Sequence, residues 1–180
     1  MKAKVFNEDK AVGRLAEILA LECGMQAKVA RQIRVAAVLH DIGKQKIPTE
    51  ILNKPGKLTA DEFEVMKTHT NLGAAMLETV HSELGVMART IARYHHEKWD
   101  GTGYWGKFLC ELPPYVEIVA IADIFCALFC SRQYKDAWPS EDVLTYIEKL
   151  AGTHFNPALI SIFIPLVQND SRVAEIFEGR

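Results

Sequence analysis

The sequence predicts an all-α fold, a single compact helical bundle with its polar chemistry gathered at helix ends. Three observations carry that prediction. Apolar residues recur at three- and four-residue spacing through most of the chain, and capping and stop signals punctuate them. The stretch from Tyr115 to Phe129 is almost continuously apolar, and its length without a hairpin partner favours a buried helix over a strand. At 180 residues, 49% hydrophobic and 24% charged, the chain has the size and composition of one globular domain with a substantial core.

Each element follows in order. Between Glu8 and Glu22, Ala11, Val12, Leu15, Ile18 and Leu19 lie at helical spacing, with Gly24 as the stop. A second helix is expected from about Ala27 to Asp41, with Val29, Ile33, Ala36, Ala37 and Leu39 inward, ended by Gly43 and Pro48. That places His40 and Asp41 in its last turn. Thr59 and Glu62 fit a capping box before Phe63, Val65 and Met66, and His69 ends that short helix or begins the next. Leu72, Ala75, Met76 and Val80 predict another helix, and Leu84, Val86, Met87, Ile91 and Tyr94 predict the one that delivers His95 and His96.

From Glu97 to Pro114 the pattern breaks into Gly, aromatic and Pro residues, which reads as a functional loop. After the apolar helix, Ser140 is expected to cap a helix from Glu141 to Leu150, and Pro157 to open a last one towards Val167. The domain is expected to span residues 1–170, with 171–180 a loosely held tail.

Bulk properties exclude several function classes. A net charge of -2 and a pI near 6.3 argue against a nucleic-acid polymer as partner, so an anionic ligand has to be held locally. No window has the pattern of a signal peptide or the length of a membrane span, and the expectation is a cytoplasmic protein without a membrane partner. Cys23, Cys110, Cys126 and Cys130 lack CxxC spacing and read as buried reduced thiols.

The chemistry concentrates in the histidines. Of six in the chain, His40, His69, His95 and His96 fall at helix ends beside an Asp or a Gly-rich turn, whereas His81 and His154 read as satisfied structural groups. A His followed by an Asp on one turn directs two ligands about 100° apart, so that Asp41 can bridge a pair of ions. Asp123, alone in an apolar run, needs a strong partner, and a metal is the most economical one. Imidazole and carboxylate without thiolate suit Fe or Mn, with Mg, Ni or Zn as further candidates. Two such ions about 3.5–4 Å apart would clamp a phosphodiester. Lys44 can offer its ammonium to a phosphate, and Arg132, Tyr134 and Lys135 can form a second clamp. The loop Asp100-Gly101-Thr102-Gly103-Tyr104 can present backbone amides and a phenol, with Trp99 and Trp105 available for base stacking.

These residues carry a resemblance. The stretches Ala36 to Lys44, Ile47 to His69, HHEKWDGTGY at His95 to Tyr104, and IVAIADIFCALFCSRQYK at Ile118 to Lys135 resemble, in order, the motifs of the HD-GYP domain, a branch of the HD-domain metal-dependent phosphohydrolases. The resemblance implies an all-helical fold, a di- or trinuclear centre and hydrolysis of cyclic di-GMP to pGpG or GMP. It implies His40, Asp41, His69, His95, His96 and Asp123 as ligands with Asp41 bridging, Asp41 and Lys44 as the catalytic pair, and Lys44, Gly103, Tyr104, Arg132 and Lys135 as substrate contacts.

Three departures accompany it. Asn7 and Ala11 stand where many members carry a Glu and a His that ligate metal, which argues against a third ion. Trp105 replaces the Pro of the GYP signature, and Cys126 replaces a common Asp. Two alternatives stay open: a phosphohydrolase acting on another cyclic dinucleotide or a nucleoside phosphate, and a degenerate module that binds a nucleotide or protein without turnover. A homodimer, a signalling partner protein and membership of a longer chain also stay open.

Overall fold

The computed structural model describes residues 7–130 and 138–178, and these are helical, with only two isolated bridges in place of strands. In order the α-helices are α1 (Glu8–Glu22), α2 (Ala27–Ala37), α3 (Thr49–Leu52), α4 (Ala60–Lys67), α5 (His69–Met76), α6 (Glu83–Tyr94), α7 (Pro114–Phe129), α8 (Ser140–Glu148), α9 (Pro157–Asn169) and α10 (Ser171–Ile176). Short 3-10 turns, Ile42–Lys46 and Leu109–Glu111, lie between them.

Capping residues stand at several helix starts, among them the capping box that the sequence predicts on α4. The Asn7 side chain accepts the Lys10 N–H at 2.9 Å and so caps α1. Thr59 and Glu62 form a reciprocal capping box on α4. Ser140 instead occupies the first position of α8, with Pro139 in the cap position and no side-chain cap. Asn156 caps α9 ahead of Pro157.

α1 and α2 form an antiparallel hairpin, and α1 also packs on α7, which places it at the centre of the bundle. Ala11, Val12, Leu15, Ile18 and Leu19 of α1 are all buried, facing Ile33, Ala36 and Ala37 of α2 and Ile118, Ile121, Ala122 and Phe125 of α7 in one core. Small residues set the hairpin's closeness: a Cβ on Gly13 would stand 2.5 Å from the Arg34 carbonyl oxygen. α7 is apolar nearly all round because it is enclosed, and eight of its residues are buried.

Several elements differ from expectation. α2 ends at Ala37, not Asp41, because Leu39 and His40 donate their N–H groups to Ala36 and Ala37, an i→i+3 pattern that tightens the chain out of α-helical register. α5 stops at Met76, leaving Ala75, Met76 and Val80 exposed. Val86 is exposed too, since α6 turns Met87, Ala88 and Ile91 inward. Residues 171–178 are not a loose tail: Val173, Ile176 and Phe177 are buried, with the Phe177 ring 5.7 Å from Phe125 and 5.0 Å from Phe129. Cys126 and Cys130 are buried as expected, but Cys23 is half-buried and Cys110 exposed. His81 is exposed, not a buried polar group. No described helix is long and apolar enough to cross a membrane.

Candidate metal centre

Three histidines reach one point by the same local device. The last carbonyls of an α-helix have no partner within it, and a side-chain donor just beyond the end can bind them. His40, past the end of α2, donates Nδ1–H to the Ala37 carbonyl at 2.7 Å. His69, between α4 and α5, does the same to Met66 at 2.7 Å, and His95, ending α6, to Ile91 and Ala92 at 3.1 Å. With Nδ1 committed as donor, each ring turns Nε2 to the interior, a lone-pair nitrogen when the ring is neutral.

Those nitrogens surround Asp41. His69 Nε2 lies 3.3 Å and His95 Nε2 3.6 Å from Asp41 Oδ1, and His40 Nε2 lies 3.3 Å from Oδ2. His40 Nε2 is also 3.5 Å from Asp123 Oδ1, a carboxylate carried by the middle of α7. Asp41, His69, His95 and His96 each offer a ligand atom within 4.8 Å of the others. Two donor groups therefore share one carboxylate: His69, His95 and His96 on the Oδ1 side, His40 and Asp123 on the Oδ2 side. Lys44 hydrogen-bonds Asp41 Oδ2 from the 3-10 turn.

The electrostatics are those of a site suited to a cation. Burial alone would raise Asp41 and Asp123, but contacts from His40, His69 and His95 to Asp41, and from His40 to Asp123, hold both carboxylates far below the usual range. Burial likewise opposes a charge on His40, and the Asp123 and Asp41 carboxylates override it and raise it well above an ordinary histidine. His95 and His96 are pushed down, chiefly by burial, which favours their neutral forms.

Two features fit a divalent metal better than protons. Asp41 Oδ1 is buried without a hydrogen-bond partner, and His69 Nε2 faces His95 Nε2 at 3.4 Å. Two lone pairs meeting at that distance need a positive charge between or beside them, and imidazole with carboxylate is a donor set for Fe, Mn or Zn.

The sequence-derived candidates thus divide. His40, Asp41, His69, His95, His96, Asp123 and Lys44 come together. Tyr104 lies against them, its ring 4.5 Å from His96, with burial and then the Asp41 and Asp123 charges pushing its phenol up to about 12. Gly103 has a packing role: a Cβ there would stand 2.5 Å from Glu97 Cα and 2.8 Å from the His96 carbonyl oxygen. Arg132, Tyr134 and Lys135 lie outside the described residues.

The loop is less open to ligands than its glycines suggest. Asp100 Oδ1 takes the Thr102 N–H at 2.9 Å, and Glu97 takes the N–H groups of Trp105 at 2.8 Å and Lys107 at 2.7 Å. Glu97 is 3% exposed and was missed in the sequence; the available signal was a carboxylate directly before a run of unpaired loop amides. Trp105 Nε1–H donates to Thr70 at 3.0 Å, and Lys67 Nζ stands 5.7 Å over both the Tyr104 and Trp105 rings. His154, read from sequence as structural, lines a cavity of about 160 Å³ beside the cluster with His96, Tyr104 and Ile124.

Glu97→Ala is expected to free this loop, since the part-buried hydrogen bonds from the Trp105 and Lys107 N–H groups are lost, at roughly 1–3 kcal/mol in all. Hydrogen exchange at Trp105 and Lys107 should accelerate by more than tenfold, and unchanged protection there would refute the anchoring role.

Comparison with known proteins agrees with this architecture. The family described as HD domain matches residues 1–159. A protein of Thermotoga maritima named "Cyclic di-GMP phosphodiesterase" is 43% identical over 164 residues, 91% of this chain and 45% of that protein. A Vibrio cholerae protein named "3'3'-cGAMP-specific phosphodiesterase 2" is 40% identical over 154 residues, 85% of this chain and 30% of that protein. The chain thus spans less than half the length of these relatives. Among solved structures, Bd1817, an HDG"Y"P protein of Bdellovibrio bacteriovorus, superposes with a TM-score of 0.74 at 18% identity, covering 93% of this chain and 53% of that one, a likeness of fold.

Proposed function

From the premise that this chain belongs to the HD-domain family, as a member of its HD-GYP type, we propose that it is a metal-dependent phosphodiesterase that hydrolyses cyclic di-GMP to pGpG or GMP. The observation that carries the proposal is the convergence of three carbonyl-oriented imidazoles on the two oxygens of Asp41. His69, His95, His96 and Asp41 would hold one divalent ion, His40, Asp123 and Asp41 a second, and Fe or Mn suits the donor set.

Such ions, when bound, supply Lewis-acid stabilisation of phosphoryl oxygen and acidify water. This chain's residues supply the rest. Asp41 shares its two oxygens between the donor groups and fixes their spacing. Lys44 brings an ammonium to the Oδ2 side, where a scissile phosphate gains charge as it reacts. Tyr104, held neutral, is positioned to donate a hydrogen bond from its phenol. The His96 and Tyr104 rings and the neighbouring cavity shape one wall of the substrate site.

The relative named for 3'3'-cGAMP supports a second reading in which the same centre cleaves that mixed dinucleotide. Protein reconstituted anaerobically with ferrous iron, and separately with Mn, is expected to convert cyclic di-GMP to a linear product and to lose that activity on chelation. Faster turnover of 3'3'-cGAMP would favour the second reading. Metal-loaded protein that leaves both intact would refute hydrolysis of cyclic dinucleotides and favour a binding role.

A further inference from the structure

We infer that Trp105, together with Lys67 of α4, forms a subsite beside the metal centre that holds one nucleotide unit of the substrate, its base stacked on the exposed indole and its phosphate facing the Lys67 ammonium. The inference deepens the cyclic-dinucleotide reading above and rests on it.

Trp105 is exposed, yet it is held at both ends. Its main-chain N–H donates to Glu97 at 2.8 Å, and its indole N–H donates at 3.0 Å to the hydroxyl of Thr70, a fully buried residue directly after His69. A Pro at this position would have neither donor, so the residue that stands here gives the loop two attachments as well as a large ring. With both bonds made, 39% of Trp105 remains open to solvent. Its polar atom is turned inward and ring surface is left outward, an arrangement that binds a flat ligand with little ordering cost.

This ring stands next to the chemistry. The Tyr104 ring lies 4.5 Å from His96, and Phe63 meets Tyr104 edge-on at 5.8 Å. Lys67 Nζ stands 5.7 Å over both the Tyr104 and the Trp105 ring. Phe63 and Lys67 are one turn apart and share a face of α4, a helix that buries none of its residues. Aromatic surface with an ammonium above it therefore runs from the metal centre out to solvent. The carboxylate that pairs with Lys67, Glu64 at 3.1 Å, is 67% exposed, so water screens the pair and a phosphate can take its place.

Those features fit the half of a cyclic dinucleotide that is not being cleaved. With the scissile phosphate at the metal centre, the second phosphate and its nucleoside lie against the neighbouring surface. A base stacks on an indole whatever its ring substituents, and an ammonium beside the stack suits the phosphate joined to it. Trp105 is thus expected to give affinity without choosing between guanine and adenine.

The test is steady-state kinetics of Mn-reconstituted protein on cyclic di-GMP and on 3'3'-cGAMP, with bound metal measured on the same samples. Trp105→Leu is expected to raise KM about tenfold or more for both dinucleotides, with kcat and metal content close to wild type. Trp105→Phe loses the same bond to Thr70 but keeps an aromatic face, and its KM should stay within about threefold of wild type. Lys67→Gln, which leaves every ring in place, should raise KM severalfold and flatten its rise with salt; unaltered KM and salt dependence would overturn the phosphate contact. Unchanged KM in Trp105→Leu, or a Trp105→Phe protein equally impaired, would overturn the stacking role while hydrolysis stands. A fall in kcat or bound metal at unchanged KM would overturn it too, by showing that the indole only braces Thr70 and His69. If the wild type binds the dinucleotides without cleaving them, the same loss is expected in Kd. A wild type that neither binds nor cleaves either one would overturn the cyclic-dinucleotide reading and the subsite with it.

Discussion

Asp41→Ala should abolish metal binding and phosphodiester hydrolysis together. Its carboxylate joins the two donor groups: one oxygen faces His69 and His95, the other His40 and Lys44. Without it the imidazoles face one another with no anion between them, and two cations brought into that space would meet no shared negative charge. Turnover is expected to fall by ~10³-fold or more, which corresponds to at least ~4 kcal/mol of lost transition-state stabilisation. Bound metal should fall below one equivalent in the same samples. The helical circular dichroism spectrum should persist, because Asp41 is not part of the hydrophobic core. Wild-type metal content or turnover in the variant would refute the bridging role.

The second large effect is expected from a residue with no side chain. Gly43 lies in the 3-10 turn against the start of α5, where an added Cβ would overlap the His69 carbonyl oxygen and stand 2.5 Å from the Gly73 amide nitrogen. Those atoms are backbone and cannot swing aside, so Gly43→Ala has to push the turn off α5. Overpacking of this kind costs about 3 kcal/mol, which for a domain of this size lowers Tm by roughly 6–12 °C. The same displacement separates Asp41 from His69, so metal affinity should fall with stability. Gly56→Ala, at a glycine with open space around it but a φ of +106°, tests backbone strain without overlap and should leave metal affinity unchanged. Equal Tm for wild type and Gly43→Ala would show that the turn and α5 are not in the contact described.

Local patterns made the helices legible. α1 runs from Glu8 to Glu22 as its apolar spacing and flanking residues indicate, and Thr59 with Glu62 caps α4, because both signals depend on residues within one turn of each other. The end of α2 was less legible. Apolar spacing continues through Leu39, but the histidine side chain and the following backbone claim the carbonyls that would extend the helix. The α10 segment was misread for a related reason: six residues carry too little periodicity to announce a helix, and Phe177 declares its role only against Phe125 and Phe129.

The candidate site divides in the same way. The sequence by itself determined the all-helical class, the set of imidazoles and carboxylates near helix ends, and their likeness to one family, since residue type and short spacing suffice for each. Only the folded arrangement shows that the two oxygens of Asp41 face different histidines, that Glu97 takes the loop amides, and that Gly103 is a packing glycine. Those relations join residues tens of positions apart on separate helices. Their distances are set by how Gly13, Gly43 and Gly73 let the helices and the turn approach, a steric outcome that no single segment encodes.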